Sequence, residues 1–197
     1  MGFDVYGVKP KQNEIKESNF QVYLKYAGME FEERWKELDK DKEQREQFWK
    51  EQSDWQDVNP GVYFRNNVWW WRPLWDYVCR HCDDILTEED MELGCENSGH
   101  LINEEKAMKI GVKLQSLVIS GATKQWEDEY MKEISELPKE PCFRCNGNNH
   151  GHNKKKECKN CDKTGERENW GASYPFHTDN VDSFSEFCLQ SGGFEIS

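Results

Sequence analysis

Residues 62–78 read Val-Tyr-Phe-Arg-Asn-Asn-Val-Trp-Trp-Trp-Arg-Pro-Leu-Trp-Asp-Tyr-Val, and this stretch decides the expected fold class. Its first seven residues have the composition of a β-strand. Pro73 suits the first turn of a helix, which would then continue through Val78. Residues 3–8 and 194–196 also have strand composition. We therefore expect an α+β fold, in which a small antiparallel sheet joins both ends of the chain to the central strand and packs against helices.

Four tryptophans within residues 69–75 are the least ordinary feature of this stretch. They cannot all face one way, so some must pack in the core while others meet another element or a ligand. The neighbouring arginines are planar cations that suit a phosphate or a carboxylate. One interpretation is a pocket for a nucleotide base and its phosphate, formed by Arg65, Trp69, Trp70, Trp71, Arg72 and Trp75. We favour the other, in which the tryptophans are bulky core residues and the arginines pair with carboxylates.

Residues 11–60 form a charged insertion between the first two predicted strands. Residues 29–52 predict one long helix whose narrow apolar stripe starts at Phe31 and lapses before Phe48. We favour an inserted helical arm with one solvated face; the alternative is a docking helix for a partner. Further helices are predicted to begin at Thr87, to run from Asn103 to Gly121, to run from Trp126 to a stop at Pro138, and to span residues 180–190 with Asp179 as N-cap.

The chain contains eight cysteines, and its first residues lack the basic flank and apolar run of a secretory signal. We interpret the cysteines as metal ligands before disulfides, because cytosolic thiols are kept reduced. Cys142-x-x-Cys145 and Cys158-x-x-Cys161 are separated by twelve residues. Two such pairs complete the tetrahedral four-thiolate shell that Zn²⁺ prefers, and an all-cysteine shell indicates a closed structural site. The minority alternatives are a redox dithiol, or a ligand supplied by His150 or His152.

A second metal site is a further candidate. Cys79, Cys82, Cys95 and His100 have the spacing of a site with three thiolates and one imidazole, provided that residues 83–99 fold back on the first pair. The alternative is that Cys79 and Cys82 are ordinary buried thiols on a helix. In all, we expect a single domain over residues 1–197, with the insertion at 11–60 and a zinc-binding loop at 141–168.

The charge balance excludes some classes of function. The chain carries 38 acidic and 26 basic side chains, a formal net charge of −12, which argues against a protein that coats nucleic acid. Residues 142–168 differ, with seven basic and four acidic side chains, but this is a weak nucleic-acid signal. No run approaches the roughly 20 apolar residues of a bilayer span. We expect a cytoplasmic protein that has no membrane partner.

Catalytic signals are few. The sequence has no His-Glu-x-x-His zinc motif, phosphate-binding loop, dinucleotide-binding motif or nucleophile elbow. His177 with Asp179 is a candidate acid–base pair, although capping explains Asp179 equally well. We favour a zinc-stabilised, non-enzymatic protein that binds another macromolecule. The alternatives are a protein that binds or sequesters a nucleotide through the Trp-rich segment, and a metal-dependent enzyme.

The cysteine loop resembles part of a known zinc-binding region. Cys142-x-x-Cys145-x-Gly147 and Cys158-x-x-Cys161-x-x-x-Gly165 are similar to the C-x-x-C-x-G-x-G repeats of DnaJ-type chaperones. Asn149 and Lys163 stand where glycines would fall, only two repeats are present, and the chain has no J-domain His-Pro-Asp tripeptide. The resemblance implies a loop pair that holds zinc, without chaperone activity.

The whole chain outside the insertion also resembles an uncharacterised family of small proteins encoded by bacteriophages and their hosts. The resemblance rests on Gly2-Phe-Asp-Val-Tyr-Gly7, on Tyr-Phe-Arg-Asn-Asn-Val-Trp-Trp-Trp-Arg-Pro-Leu-Trp over 63–75, on the cysteine loops and on Ser-Gly-Gly-Phe-Glu-Ile over 191–196. It carries no activity over to this chain. It implies a bacterial cytoplasm. In such a setting, the macromolecule that we expect this protein to bind is a host protein.

Overall fold

The computed structural model describes residues 2–12, 19–145 and 158–197. The strands are β1 (Gly2–Gly7), β2 (Tyr63–Asn67), β3 (His100–Ile102), β4 (Glu140–Pro141), β5 (Glu166–Arg167) and β6 (Phe194–Ile196). The α-helices are α1 (Gln21–Ala27), α2 (Phe31–Leu38), α3 (Lys42–Val58), α4 (Val68–His81), α5 (Glu88–Leu93), α6 (Glu104–Ile119), α7 (Ala122–Ser135) and α8 (Thr178–Gln190). The predicted α+β class is confirmed.

The main sheet has the strand order β2-β1-β6-β3, and all its pairs are antiparallel. Asp4 lies opposite Arg65, and Val5 lies opposite both Phe64 and Ile196. The predicted sheet joining both ends of the chain to the central strand is therefore confirmed. The short strand β3 was not predicted from the sequence; it adds to the far edge of β6.

Helices α4 and α8 pack against the sheet, α6 packs against both of these helices, and the main core lies among these elements. The largest fully buried side chains of this core are Trp71, Trp75, Tyr77, Phe176, Phe184, Phe187 and Phe194. Gly111 lets α6 approach α8 closely, because a Cβ atom there would lie only 2.7 Å from Cγ of Leu189. The core is thus built largely from aromatic rings, which bury a large area for each residue.

Helix α4 begins earlier than the sequence predicted. The side chain of Asn67 accepts hydrogen bonds from the backbone N–H groups of Trp69 and Trp70, so it caps the helix directly after β2. Pro73 therefore lies inside the helix and not in its first turn. The early cap places three consecutive tryptophans on the first turn, where they point in different directions.

Helices α5 to α8 begin and end close to their predicted positions. Thr87 and Asp90 form a capping box for α5, and Asn103 caps α6. The predicted N-cap of α8 is wrong, because α8 begins at Thr178 and Asp179 lies in its first turn. The carboxylate of Glu127, on α7, accepts hydrogen bonds from both the backbone N–H and the hydroxyl of Thr178.

The described part of the insertion, residues 11–12 and 19–60, contains three helices that pack around a small apolar cluster of their own. Tyr26, Leu38 and Phe48 are its buried members. The single long helix predicted over residues 29–52 is wrong, because the chain turns between α2 and α3. The carboxylate of Asp41 accepts hydrogen bonds from two backbone N–H groups at the start of α3, which stabilises the new helix start.

None of the helices in the part of the chain that the structure describes is both long and apolar enough to cross a lipid bilayer.

Candidate metal centre

A short β-ribbon carries the four-cysteine cluster. Strands β4 and β5 pair antiparallel, and Arg167 forms a 2.9 Å ion pair with Glu140 across them. Cys142 directly follows β4, and its backbone N–H donates a 2.9 Å hydrogen bond to the carbonyl of Gly165 before β5. The ribbon therefore brings the first cysteine pair next to the turn that follows the second pair.

The four sulfur atoms have the spacing of a tetrahedral metal site. All four side chains are buried, and their sulfurs lie within 4.8 Å of one another. The Cys142–Cys158 and Cys145–Cys161 sulfur–sulfur distances are both 3.8 Å. Four sulfurs at about 2.3 Å from a tetrahedral zinc lie about 3.8 Å apart, whereas a disulfide requires about 2.0 Å. The cluster can therefore hold a metal ion, and its cysteines are free thiols.

Backbone and side-chain donors point at these sulfurs. The backbone N–H of Gly165 donates to Sγ of Cys161 at 3.3 Å, and Nδ2 of Asn160 lies 3.8 Å from Sγ of Cys142. Hydrogen bonds from the backbone N–H groups of Cys145 and Arg144 lower the pKa of Cys142 to about 6. Donors of this kind stabilise the thiolate, which is the form that binds a metal.

The turn after Cys161 has a left-handed backbone. Asp162 and Lys163 have φ angles of 46° and 67°, and Gly165 has a φ of 83°. This geometry lets the backbone N–H of Lys163 reach the carbonyl of Cys158, and that of Thr164 reach the carbonyl of Cys161. Lys163 occupies a position where the resembling chaperone repeats carry glycine, and glycine is the residue that adopts this conformation without a steric cost.

The two loop histidines considered as alternative ligands, His150 and His152, lie outside the described residues.

The structure does not assemble the second candidate metal site. In the described ranges, the cluster at Cys142 is the only group of three or more His, Cys, Asp or Glu side chains with ligand atoms within 4.8 Å of one another. His100 instead places Nε2 2.9 Å from Oδ1 of Asp90. Burial raises the pKa of Cys79 and of Cys82 to about 12, which disfavours the metal-binding thiolate. Cys95 is exposed.

The structure separates the tryptophans of the candidate ligand site. Trp71 and Trp75 are fully buried, stack on each other, and donate their indole N–H groups to the carbonyls of Gly94 and Met91. They are core residues with satisfied polar atoms. Trp69 packs against Trp170 and Tyr174.

The remaining members of that candidate site lie on two separate surface hollows. Arg65 and Trp70 line a hollow of about 560 Å³ together with Gly2, Asn66 and Asn67. Arg72 lines another of about 270 Å³, and it donates a hydrogen bond to the hydroxyl of Tyr174. The six residues therefore do not form one pocket.

The candidate acid–base pair has other contacts. The ring of His177 packs on Trp70, and its Nδ1 lies 3.7 Å from Oε1 of Glu127. Burial raises the pKa of Glu127, but hydrogen bonds from Thr178 together with the nearby ammonium group of Lys124 outweigh it and lower the pKa below its ordinary value. Glu127 thus holds the start of α8, a role that no local sequence pattern indicated because it lies on a different helix.

Sequence reasoning missed an arginine that lies between two rings beside the metal cluster. Arg167 lies 5.1 Å from the ring centre of Phe143 and 5.6 Å from that of Trp170. Trp170 in turn contacts Trp69 on α4. The signal that the sequence offered was Phe143, an aromatic residue between two cysteines of the cluster. This stack connects the cysteine ribbon with the Trp-rich helix.

No protein-family model, curated protein or solved structure matches this chain.

Proposed function

We propose that this protein is a zinc-stabilised, non-enzymatic binding protein whose metal centre holds together the described segments 140–145 and 158–167. The observation that carries the proposal is the buried cluster of four cysteines at tetrahedral spacing. Thiolate ligands select zinc among the common divalent ions that show tetrahedral geometry. Cys142, Cys145, Cys158 and Cys161 would be the four ligands.

A structural role follows from the ligand count. Four thiolates fill a tetrahedral zinc and leave no position for water or a substrate, which a metal-dependent enzyme would require. The bound site would carry a charge of −2, and the positive net charge of residues 142–168 would balance it. Because β4 and β5 are only two residues each, the ribbon has little stability of its own, and the metal would supply it.

The partner proposed is a host protein in a bacterial cytoplasm, with this chain acting as a phage accessory protein. The support is the resemblance of its Trp-rich and Ser-Gly-Gly-Phe-Glu-Ile segments to phage-encoded proteins. The strongly acidic composition favours a basic partner surface.

The deciding experiment is zinc stoichiometry on the purified full chain by elemental analysis. We expect one zinc per chain, retained on dialysis and removed by a strong chelator together with a drop in melting temperature. Two zinc ions per chain would mean that the cysteines at 79, 82 and 95 rearrange to bind metal. Protein that folds stably without any metal would overturn the proposal.

A second candidate function is the binding of a small anionic ligand in the hollow at Arg65. The observation that favours it is the combination of an exposed arginine with the half-exposed ring of Trp70 along one hollow. Titration with mono-, di- and cyclic nucleotides should then change the tryptophan fluorescence, and Trp70→Phe should abolish that change. An unchanged spectrum with every nucleotide would remove this candidate.

A further inference from the structure

The helical arm carries an exposed aromatic patch formed by Phe31 and Trp35 of α2 and Trp49 of α3. Their exposed fractions are 64%, 42% and 43%. The ring of Trp35 contacts both of the others: its centroid lies 6.4 Å from that of Phe31 and 6.4 Å from that of Trp49. Single exposed apolar residues are ordinary, but a contiguous group of large rings is typical of an interaction site.

The patch does not arise from a lack of core in the arm. Leu38 and Phe48 are completely buried in the cluster around Tyr26, and Arg34 lies over the rings of both Phe31 and Phe48. Other residues therefore fill the core of the arm, and these three rings lie outside that core. Tryptophan is among the residues that contribute most to binding energy at protein interfaces.

The surroundings of the patch are acidic. Residues 30–58 contain eleven acidic and six basic side chains. Three of the basic side chains are already held in ion pairs, Lys40 with Glu37, Lys42 with Glu46 and Arg45 with Asp39. Within the described residues, the carboxylates of Glu30, Glu32 and Glu33 beside Phe31 have no basic side chain at ion-pair distance, and the three remaining cations likewise have no carboxylate at that distance. The segment around the patch therefore keeps its excess of negative charge.

We infer that this aromatic patch docks a cationic amphipathic helix of a partner protein. Charge complementarity selects the cationic partner, because the unpaired carboxylates would lie beside its lysines or arginines. A group of large rings in contact with one another is the kind of surface on which the apolar face of an amphipathic helix can lie. The inference rests on the proposed binding function and names the partner's chemistry.

The test uses the zinc-loaded full chain and a synthetic amphipathic peptide of leucine and lysine, about 14 residues long. A peptide with glutamate in place of lysine is the charge control. Titration calorimetry should detect the lysine peptide and not the glutamate peptide, and the affinity should fall as salt increases. The double substitution Phe31→Ser with Trp35→Ser should weaken binding roughly tenfold or more.

Two variants make the result specific to the patch. Ile119→Ser removes an apolar side chain outside the arm that is 79% exposed, and it should leave the affinity unchanged. The double substitution Glu32→Gln with Glu33→Gln should lower the affinity for the lysine peptide and make that affinity less dependent on salt. Equal affinity in the aromatic double variant and in Ile119→Ser would overturn the inference.

A second copy of this chain is the competing occupant of the patch. Light scattering should report the same mass for the wild-type and aromatic double variant; a dimer that the double substitution dissociates would overturn the inference in favour of self-association. The zinc content of each sample is measured in parallel. If the wild-type protein retains zinc but does not bind the lysine peptide, docking alone is refuted, whereas absence of zinc refutes the proposed metal centre.

Discussion

His100 places Nε2 2.9 Å from Oδ1 of Asp90, a carboxylate that is almost completely buried. The other oxygen of Asp90 receives the ammonium group of Lys106 and the backbone N–H and hydroxyl of Thr87. One carboxylate therefore connects the start of α5, strand β3 and helix α6. A buried charge that has this many partners is costly to leave unpaired.

Substitution of Asp90 by asparagine should destabilise the fold. The amide keeps the size of the side chain but removes the charge that Lys106 and His100 face, so we expect a loss of about 2–4 kcal/mol. Urea unfolding followed by fluorescence measures it. Asp76→Asn, which removes an exposed ion pair with Arg80, is the matched control and should cost less than about 1 kcal/mol.

The same carboxylate predicts an acid-sensitive fold. Burial raises the pKa of Asp90, but hydrogen bonds from Lys106, Thr87 and His100 outweigh it and hold the pKa well below its usual range. A depressed pKa in the folded state stabilises the protein at neutral pH, and this stability is lost as the pH falls below about 4. Asp90→Asn should therefore flatten the acid limb of a stability–pH curve. If the stability of the variant falls equally steeply at acid pH, other groups cause the acid sensitivity.

Cys142→Ser should remove the metal. Three thiolates and a hydroxyl bind zinc more weakly than four thiolates, so the zinc content should fall from about one ion per chain to near zero after dialysis against a mild chelator. The melting temperature should fall with it. Cys95→Ser is the matched control, because Cys95 is exposed and outside the cluster. Equal zinc in both variants would contradict the assigned ligands.

Lys163→Gly should stabilise the turn after the second cysteine pair. Lys163 has a φ of 67°, which costs a residue with a Cβ atom roughly 1 kcal/mol, and glycine avoids this cost. We expect a gain of up to about 1 kcal/mol, seen as a higher melting temperature of the zinc-loaded protein. Lys159→Gly, at an exposed position outside the left-handed region, should lose about 0.5–1 kcal/mol instead.

The substitutions Trp71→Ala and Trp70→Ala should lower the free energy of unfolding by very different amounts, although the two residues are adjacent. Trp71 is fully buried between Phe3 and Trp75, so its removal should cost about 3–5 kcal/mol. Trp70 is 40% exposed, and its removal should cost less than about 1–2 kcal/mol. Denaturant unfolding of both variants measures the difference. Similar losses would mean that Trp70 packs against more of the fold than His177.

The parts of the fold that follow local patterns were predictable from sequence. The spacing of Cys142, Cys145, Cys158 and Cys161 specified a cluster because two C-x-x-C turns leave few other arrangements for four thiols. Asn103 and Thr87 were recognised as helix starts because their capping partners lie within three residues. The strand pairing of both chain ends also followed from residue composition.

Features decided by distant contacts were not predictable. Strand β3 is only three residues long, and its pairing with β6 defines it. The cap of α8 comes from Glu127, about fifty residues earlier. In the same way, the spacing of Cys79, Cys82, Cys95 and His100 could not indicate that His100 would meet Asp90. The stack of Arg167 between Phe143 and Trp170 likewise requires three segments to meet.

The position of β6 between β1 and β3 sets the order in which the sheet can form. Val5 pairs with Phe64 on one side and with Ile196 on the other. During synthesis β1 can join β2 early, but its second edge stays open while more than a hundred further residues are made. An open edge of this kind is prone to pair with other chains. Expression conditions that slow the completion of each chain should therefore favour aggregation of this protein before its native sheet can close.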